Sequence, residues 1–257
     1  ENKKNNLSNV QLLYLKIMVD KDLIFLEMCN NEQLQLLADF IVYDTDGKTR
    51  HTENLSNTQN YKINYPGNMK ALIPDVVNEL QLFGGNTFKN IARGHGVLYK
   101  EILETVSNKL GVNFNKSIST ELLEHYLLQK FLIMSIDKMT EEDVHHLGEK
   151  LTKEALKSQI GLLKAGSPLF IKLTTMLVVR MAAMAGLKQV AGLAAKFAGG
   201  RLFAVLAGPI GWVISGIWAA YDIAGPAYRV IIPCTITIAY LRSIYDKTED
   251  ELNEILK

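Results

Sequence analysis

The chain has 257 residues, 48% of them hydrophobic and 21% charged, with a formal net charge of +1. That length allows one large domain or two modest ones with a sizeable core. The balanced charge lacks the basic excess of a nucleic-acid binder, and abundant Leu, Ile, Glu, Lys and Ala with only six prolines favour helix.

Residues 8–19 carry apolar positions at helical spacing. Asp22 can cap a short turn, and Asn30 or Asn31 can cap a helix over EQLQLLADFIVY. A polar stretch from Asp44 to Pro66 follows, with DTDGK and two Asn-rich runs, and reads as a mobile loop. Helix resumes over Met69 to Phe83 and stops at Gly84-Gly85. Asn86 caps the next segment, which Gly94-His95-Gly96 interrupts. Val97 to Leu110 is helical and ends at Gly111. Ser119 opens a long helix, and Thr140 opens another that is expected to run to about Lys164. Ser167-Pro168 is an N-cap with proline at the first helical position. Gly208-Pro209 and Gly225-Pro226 are each expected to end one helix and start the next, and Pro233 to kink or end the last long one. The β-branched run Val230–Ile238 could be a strand, but its helical neighbours assign it to helix. Thr248 caps a short C-terminal helix.

The fold class is therefore all-α. Residues 1–165 are expected to form a soluble helical bundle, and 166–257 an apolar Gly/Ala-rich helical region ending in a short acidic helix. The two parts differ in charge: residues 1–170 hold 19 Lys/Arg and 21 Asp/Glu, residues 171–257 hold 9 and 6. Cys29 and Cys234 lie in apolar stretches without CxxC spacing and read as free thiols in a reducing compartment. The polar start ENKKNNLSN offers no secretory signal, and the absence of an initial Met suggests a trimmed start.

Leu202 to Tyr221 is uncharged throughout and long enough to span a bilayer. Its eight Leu, Ile, Phe and Val residues supply about −4 kcal/mol toward insertion. Three glycines, a serine and Pro209 oppose it. The side chains that would enter lipid are Leu206, Ile210, Trp212, Ile214 and Trp218. If the chain is instead soluble, Leu206, Ile210, Val213, Ile214 and Ile217 must be buried. Small residues at Ala191, Ala195 and Gly199, and at Gly211, Ser215 and Ala219, form ridges for close helix packing.

No catalytic motif is present: there is no HExxH, GxSxG or P-loop. Glu142 with His145 and His146, and Glu121 with His125, fall short of a di-metal bundle and read as solvated faces. Asp44-Thr45-Asp46-Gly47 begins like a calcium loop but has Leu55 where a Glu is needed. Neither a metal nor a cofactor is expected. The candidate ligand or partner residues are Arg93, His95 and Tyr99, with Tyr228 and Arg229. Glycines beside His95 could bring backbone close to a ligand. The plainer reading is an interhelix turn with His95 at a helix start and Arg93 paired to a carboxylate. Arg229, alone in an apolar region, needs an acid, with Asp222 as the candidate.

Several stretches resemble the uncharacterised bacterial YaaW-like family. They are Asp22–Cys29 with Asn31-Glu32, Gly47–Arg50, Glu79–Gly85, Arg93–Tyr99 and Gly225–Pro233. The resemblance implies a bacterial protein, cytoplasmic or membrane-associated. It carries an association with ubiquinol–cytochrome c chaperone-like proteins, and no activity, cofactor or catalytic residue. The expected function is a non-enzymatic protein whose apolar C-terminal helices pack on the bundle and engage a membrane or partner on release. The alternative is an assembly-chaperone-like binding module with those helices as permanent core, and the third is an enzyme using Arg93, His95 and Tyr99. Expected partners are a protein or an anionic membrane surface, with a possible homo-oligomer. The expected location is the cytoplasm, with peripheral or conditional inner-membrane association.

Overall fold

The computed structural model describes residues 20–44, 47–85, 96–147, 151–187, 201–221 and 226–256. For the helix over 201–221, side chains are described from 205 to 217. Arg93, His95, Asp222 and the ridge Ala191–Ala195–Gly199 lie outside the described residues, as do the side chains of Trp218 and Ala219.

The described residues form α-helices with three 3₁₀ turns and no strand beyond one isolated bridge. The α-helices are α1 (Asn31–Val42), α2 (Gln59–Asn64), α3 (Ile73–Gly84), α4 (Tyr99–Lys109), α5 (Thr120–Asp137) and α6 (Glu141–Leu147). They continue with α7 (Lys153–Leu162), α8 (Pro168–Met184), α9 (Arg201–Tyr221), α10 (Pro226–Ile244) and α11 (Glu249–Leu256). Several starts are fixed by side chains, as the capping residues require. Asn30 and Gln33 close a reciprocal capping box on α1. Ser119 accepts from Leu122 N at 3.2 Å, and Thr248 from Glu251 N at 3.2 Å.

The centre of the molecule is α10. Every residue from Val230 to Leu241 is buried. A helix that is apolar all round must be enclosed on all sides, and α1, α3, α4, α5, α8 and α9 all pack on this one. One continuous hydrophobic cluster runs from Leu23 to Leu256 through both halves of the sequence. Pro233 sits inside α10 and Pro209 inside α9. Neither ends its helix, against the break expected at Gly208-Pro209 and against one of the two outcomes expected at Pro233: each removes one backbone bond, and tertiary packing on both helices outweighs that loss. Pro226, by contrast, does open α10.

Two further expectations are corrected. The helix expected from Thr140 to about Lys164 is two helices, because Thr152 starts a new one by accepting from Ala155 N at 3.2 Å. The stretch from Asp44 to Pro66 includes a 3₁₀ turn and α2 and is anchored to the core at several points. Leu55 and Tyr61 are buried, and Tyr61 stacks on Tyr65 at 4.6 Å. The buried Glu79 carboxylate accepts from Asn54 N at 2.7 Å, and Glu53 accepts from Ser56 N at 2.8 Å. A few apolar and aromatic anchors and two buried acids suffice to order a sequence that is polar on average.

Gly96, before Tyr99, serves packing. A Cβ on Gly96 would lie 2.5 Å from the backbone carbon of Gln81, whose carbonyl accepts from Val97 N at 3.3 Å. Gly216 on α9 has open space around it. Gly96→Ala is therefore expected to destabilise the fold by about 1–3 kcal/mol. Gly216→Ala is expected to stabilise it by about 0.5–1 kcal/mol through lower backbone entropy in the unfolded chain. Urea unfolding midpoints of the two variants, moving in opposite directions, check both.

Candidate functional site

Arginines mark both ends of α10. Arg229 lies in its first turn and Arg242 in its last. Thirteen residues of helix separate them by about 20 Å. Alongside runs α1, about 18 Å long, and the segments flanking α1 reach both arginines.

At the far end, Arg242 Nε donates to Glu124 Oε2 at 2.5 Å, and its Nη2 donates to the Asp22 carbonyl. The guanidinium also lies over the Phe25 ring, 4.1 Å from its centroid. The other Glu124 oxygen accepts from Tyr99 OH at 2.7 Å. Next to it, buried Asp20 accepts from Tyr99 N at 2.7 Å and from Gln81 Nε2 at 2.9 Å. Burial pushes the Glu124 carboxyl up to about 6, with Arg242 and Tyr99 opposing. Burial likewise raises Asp20, opposed by its hydrogen bonds from Tyr99 and Gln81. Tyr99, with a buried hydroxyl against a carboxylate, is raised far above its ordinary value and stays protonated. A cleft of about 270 Å³ adjoins this cluster, lined by Glu121, His125, Phe170, Ser243 and Tyr245 as well as the ion pair. His125 packs on Phe170 at 4.7 Å, and burial lowers its pKa.

At the near end, Arg229 Nη1 lies 3.7 Å from Asp44 Oδ2, and Arg50 Nη1 lies 3.3 Å from the same oxygen. Asp44 is thus the acid found for Arg229. Buried Arg50 also donates to the carbonyls of Ile41 at 3.2 Å and Tyr43 at 2.9 Å. It thereby caps the C-terminal end of α1, where carbonyls lack helical partners and positive charge is favoured. Half-buried Tyr228 receives Lys109 over its ring at 5.4 Å.

Tyr99, then, is a fully buried residue whose two polar atoms are both engaged, and it presents nothing to a substrate. The structure places it 2.7 Å from Glu124, a residue that sequence reasoning passes over along with Asp20 and Arg242. A signal is available: Arg242 closes an apolar helix that contains no acid, and such a charge demands a partner from elsewhere. Cys29 and Cys234 are buried free thiols, Cys29 pushed up to about 12 by desolvation, so neither is a poised nucleophile. Among the described residues no group of three or more His, Cys, Asp or Glu could hold a metal ion. His146 and Glu142 meet only as an exposed pair at 3.8 Å.

The second candidate surface is α9. Leu206, Ile210, Val213, Ile214 and Ile217 are all buried, in one stripe at helical spacing against α5 and α8. Three of the proposed lipid-entering side chains, Leu206, Ile210 and Ile214, therefore face protein. Trp212 points the other way and is 73% exposed. Ser215 and Gly216 share its exposure, and Ala207 and Gly208 are half-buried. The ridge expected through Gly211, Ser215 and Ala219 is divided: Gly211 lies under Arg180, where a Cβ would meet Nε at 3.0 Å, while Ser215 is exposed. Among the described residues no helix is long and apolar enough to cross a membrane.

The ion pair at the end of α10 gives two measurable consequences. Arg242→Met leaves a buried carboxylate without its charge partner and is expected to destabilise the fold by about 3–5 kcal/mol. Adding Glu124→Gln to it should recover much of that loss in a double-mutant cycle by urea unfolding. The pH dependence has a definite sign. The folded-state carboxyl of Glu124 titrates above its ordinary value of 4.5, so between about 4.5 and 6 the native state holds the extra proton. Stability relative to Glu124→Gln should then fall as pH rises through that window, by on the order of 1–2 kcal/mol in all. Urea unfolding of both proteins at a series of pH values across the window checks it.

Residues 19–51 match a domain of unknown function (DUF3944). That segment supplies the Asp22 carbonyl, Phe25 and Asp44, which meet the arginines at the two ends of α10, with Asp20 and Arg50 beside them. Over 236 residues the chain is 37% identical to a UPF0174 protein of Helicobacter pylori strain J99, covering 87% of this chain and 91% of that protein. Over 247 residues it is 33% identical to the UPF0174 protein YaaW of Escherichia coli K12, covering 90% and 97%. No solved structure matches it. With such identity along nearly the whole length of both relatives, the chain belongs to the UPF0174 family, the uncharacterised bacterial family that includes YaaW.

Proposed function

We propose that this is a non-enzymatic binding protein that docks on an anionic membrane surface through the outward face of α9. The observation that carries the reading is Trp212, 73% exposed on a helix with no charged residue between Leu202 and Tyr221. Exposed helix faces in water normally carry charge. Tryptophan has an apolar body and a polar edge that suit the membrane–water boundary. The excess of cations over acids in residues 171–257 favours anionic lipid.

Docking in this form needs no release of α9. Extracting its five buried aliphatic side chains would cost about 1.5–3 kcal/mol each, a sum comparable to the whole stability of a domain. The inward stripe therefore stays as core, and only the outward face engages. A second reading, an assembly-chaperone-like module that binds protein, draws on the same face. Ala207, Gly208, Ser215 and Gly216 are small enough for a partner helix to approach closely.

The test is co-flotation with phosphatidylglycerol and phosphatidylcholine vesicles. Wild type should float with the anionic vesicles, with a blue shift of Trp212 emission in a Trp218→Phe background. Trp212→Ser should lose most of the floating fraction while unfolding like wild type. Wild type remaining in solution at every lipid composition would discard the membrane reading in favour of the protein-binding one.

A further inference from the structure

A cavity of about 90 Å³ lies where α5, α7, α8 and α9 meet. Leu132 and Ile136 line it from α5, Leu156 from α7, Leu173 from α8, and Leu206 and Ile210 from α9. Only two of its lining residues are polar, Ser135 and Gln159. The buried Ser135 hydroxyl is already committed, donating to the Phe131 carbonyl at 3.0 Å. Gln159 is exposed on α7. The interior thus offers an occupant contact area but no free hydrogen-bonding group.

We propose that this cavity is a binding site for the end of a single alkyl chain, with α7 as its lid. Chemistry selects hydrocarbon, because any polar atom placed inside would lose its water partners and find no replacement. Size selects a chain. An apolar cavity of about 150 Å³ holds one benzene, so this smaller space has no room for a ring system. A peptide helix, about 10 Å across, is larger still.

The lid is weakly held. Of the ten residues of α7 only Ile160 is buried. One side chain beneath it, Gln129, donates to the carbonyls of Ile160 at 3.0 Å, Gly161 at 3.2 Å and Leu163 at 3.3 Å. Leu156 packs partly buried against the core, and the remaining ties of α7 include charge pairs with solvent-exposed acids, Lys157 with Asp137 and Lys153 with Glu141 at 3.8 Å. Pairs of that kind contribute little and weaken with salt. Apolar side chains stand at the lip. Leu169, which lines the cavity, is 47% exposed, and Leu162 at the end of the lid is 79% exposed. An entering chain can leave its polar head in water beside them.

The chain could belong to a free fatty acid or to a bilayer lipid, and one assay separates them. The full chain is titrated with cis-parinaric acid, whose polyene fluoresces in apolar surroundings, without vesicles present. The site predicts a saturable rise in fluorescence that dodecanoate displaces. Ile136→Phe and Leu206→Phe, which fill the cavity, should each weaken binding at least tenfold, with native helicity checked by circular dichroism. Phosphatidylglycerol vesicles are then added to the loaded protein. Displacement of the probe assigns the site to bilayer acyl chains, and retention assigns it to a free amphiphile. Absence of a saturable rise in wild type, or a rise unchanged in both Phe variants, overturns the proposal. Because binding is read before any vesicle is added, the result stands apart from docking by the face of α9.

Discussion

The structure depends on one constraint: α10 has no side fit for water. Twelve successive buried residues, Val230 to Leu241, must be enclosed, and six helices drawn from the whole length of the chain do so. Hydrophobic burial is non-directional, however, and does not by itself say where along α10 each neighbour should sit. The two arginines supply that information. Arg229 meets Asp44, and Arg242 meets Glu124 and the Asp22 carbonyl. Buried charge pairs add little net stability, but a mismatched one is costly, and at the Arg242–Glu124 pair that asymmetry favours a single register.

The segment matched over 19–51 is an integral part of this arrangement. It packs α1 along α10 and carries groups that engage both ends: Asp20 and Phe25 with the Arg242 cluster, Asp44 and Arg50 with Arg229. Its own helix is capped by Arg50, so the same side chain that pairs with Asp44 also satisfies α1. The most distinctive sequence features, Gly96, Tyr99 and Arg229, are used by the fold. The contacts proposed with other molecules are apolar: the uncharged outer face of α9 and the cavity under α7.

The helical nature of the chain was legible because caps and periodicity are local. Asn30, Ser119 and Thr248 each bind a backbone amide three residues on, and this spacing can be read from a string of letters. Ser167-Pro168 and Pro226 likewise mark helix starts through their fixed backbone angle. Local rules fail where tertiary packing opposes them. Pro209 predicts a break in a helix that packing keeps whole. The polar stretch after Asp44 reads as a loop, yet Tyr61, Tyr65, Glu53 and Glu79 order it through contacts up to 30 residues away.

Composition and periodicity alone determined the all-α class, most helix starts, the free thiols and the need for a partner at Arg229. Which apolar helix is central and which peripheral was decided only in three dimensions. Both α9 and α10 are long and apolar, and hydropathy ranks α9 the higher, yet α10 is the central one. The difference arises because α10 carries bulky aliphatic residues on every side, whereas α9 confines its own to one stripe and leaves small residues and Trp212 opposite. The partners of Arg242 and Arg229 were equally out of reach of sequence. Glu124 stands 118 residues from Arg242 along the chain, and only the packing of α5 on α10 brings the two charges together.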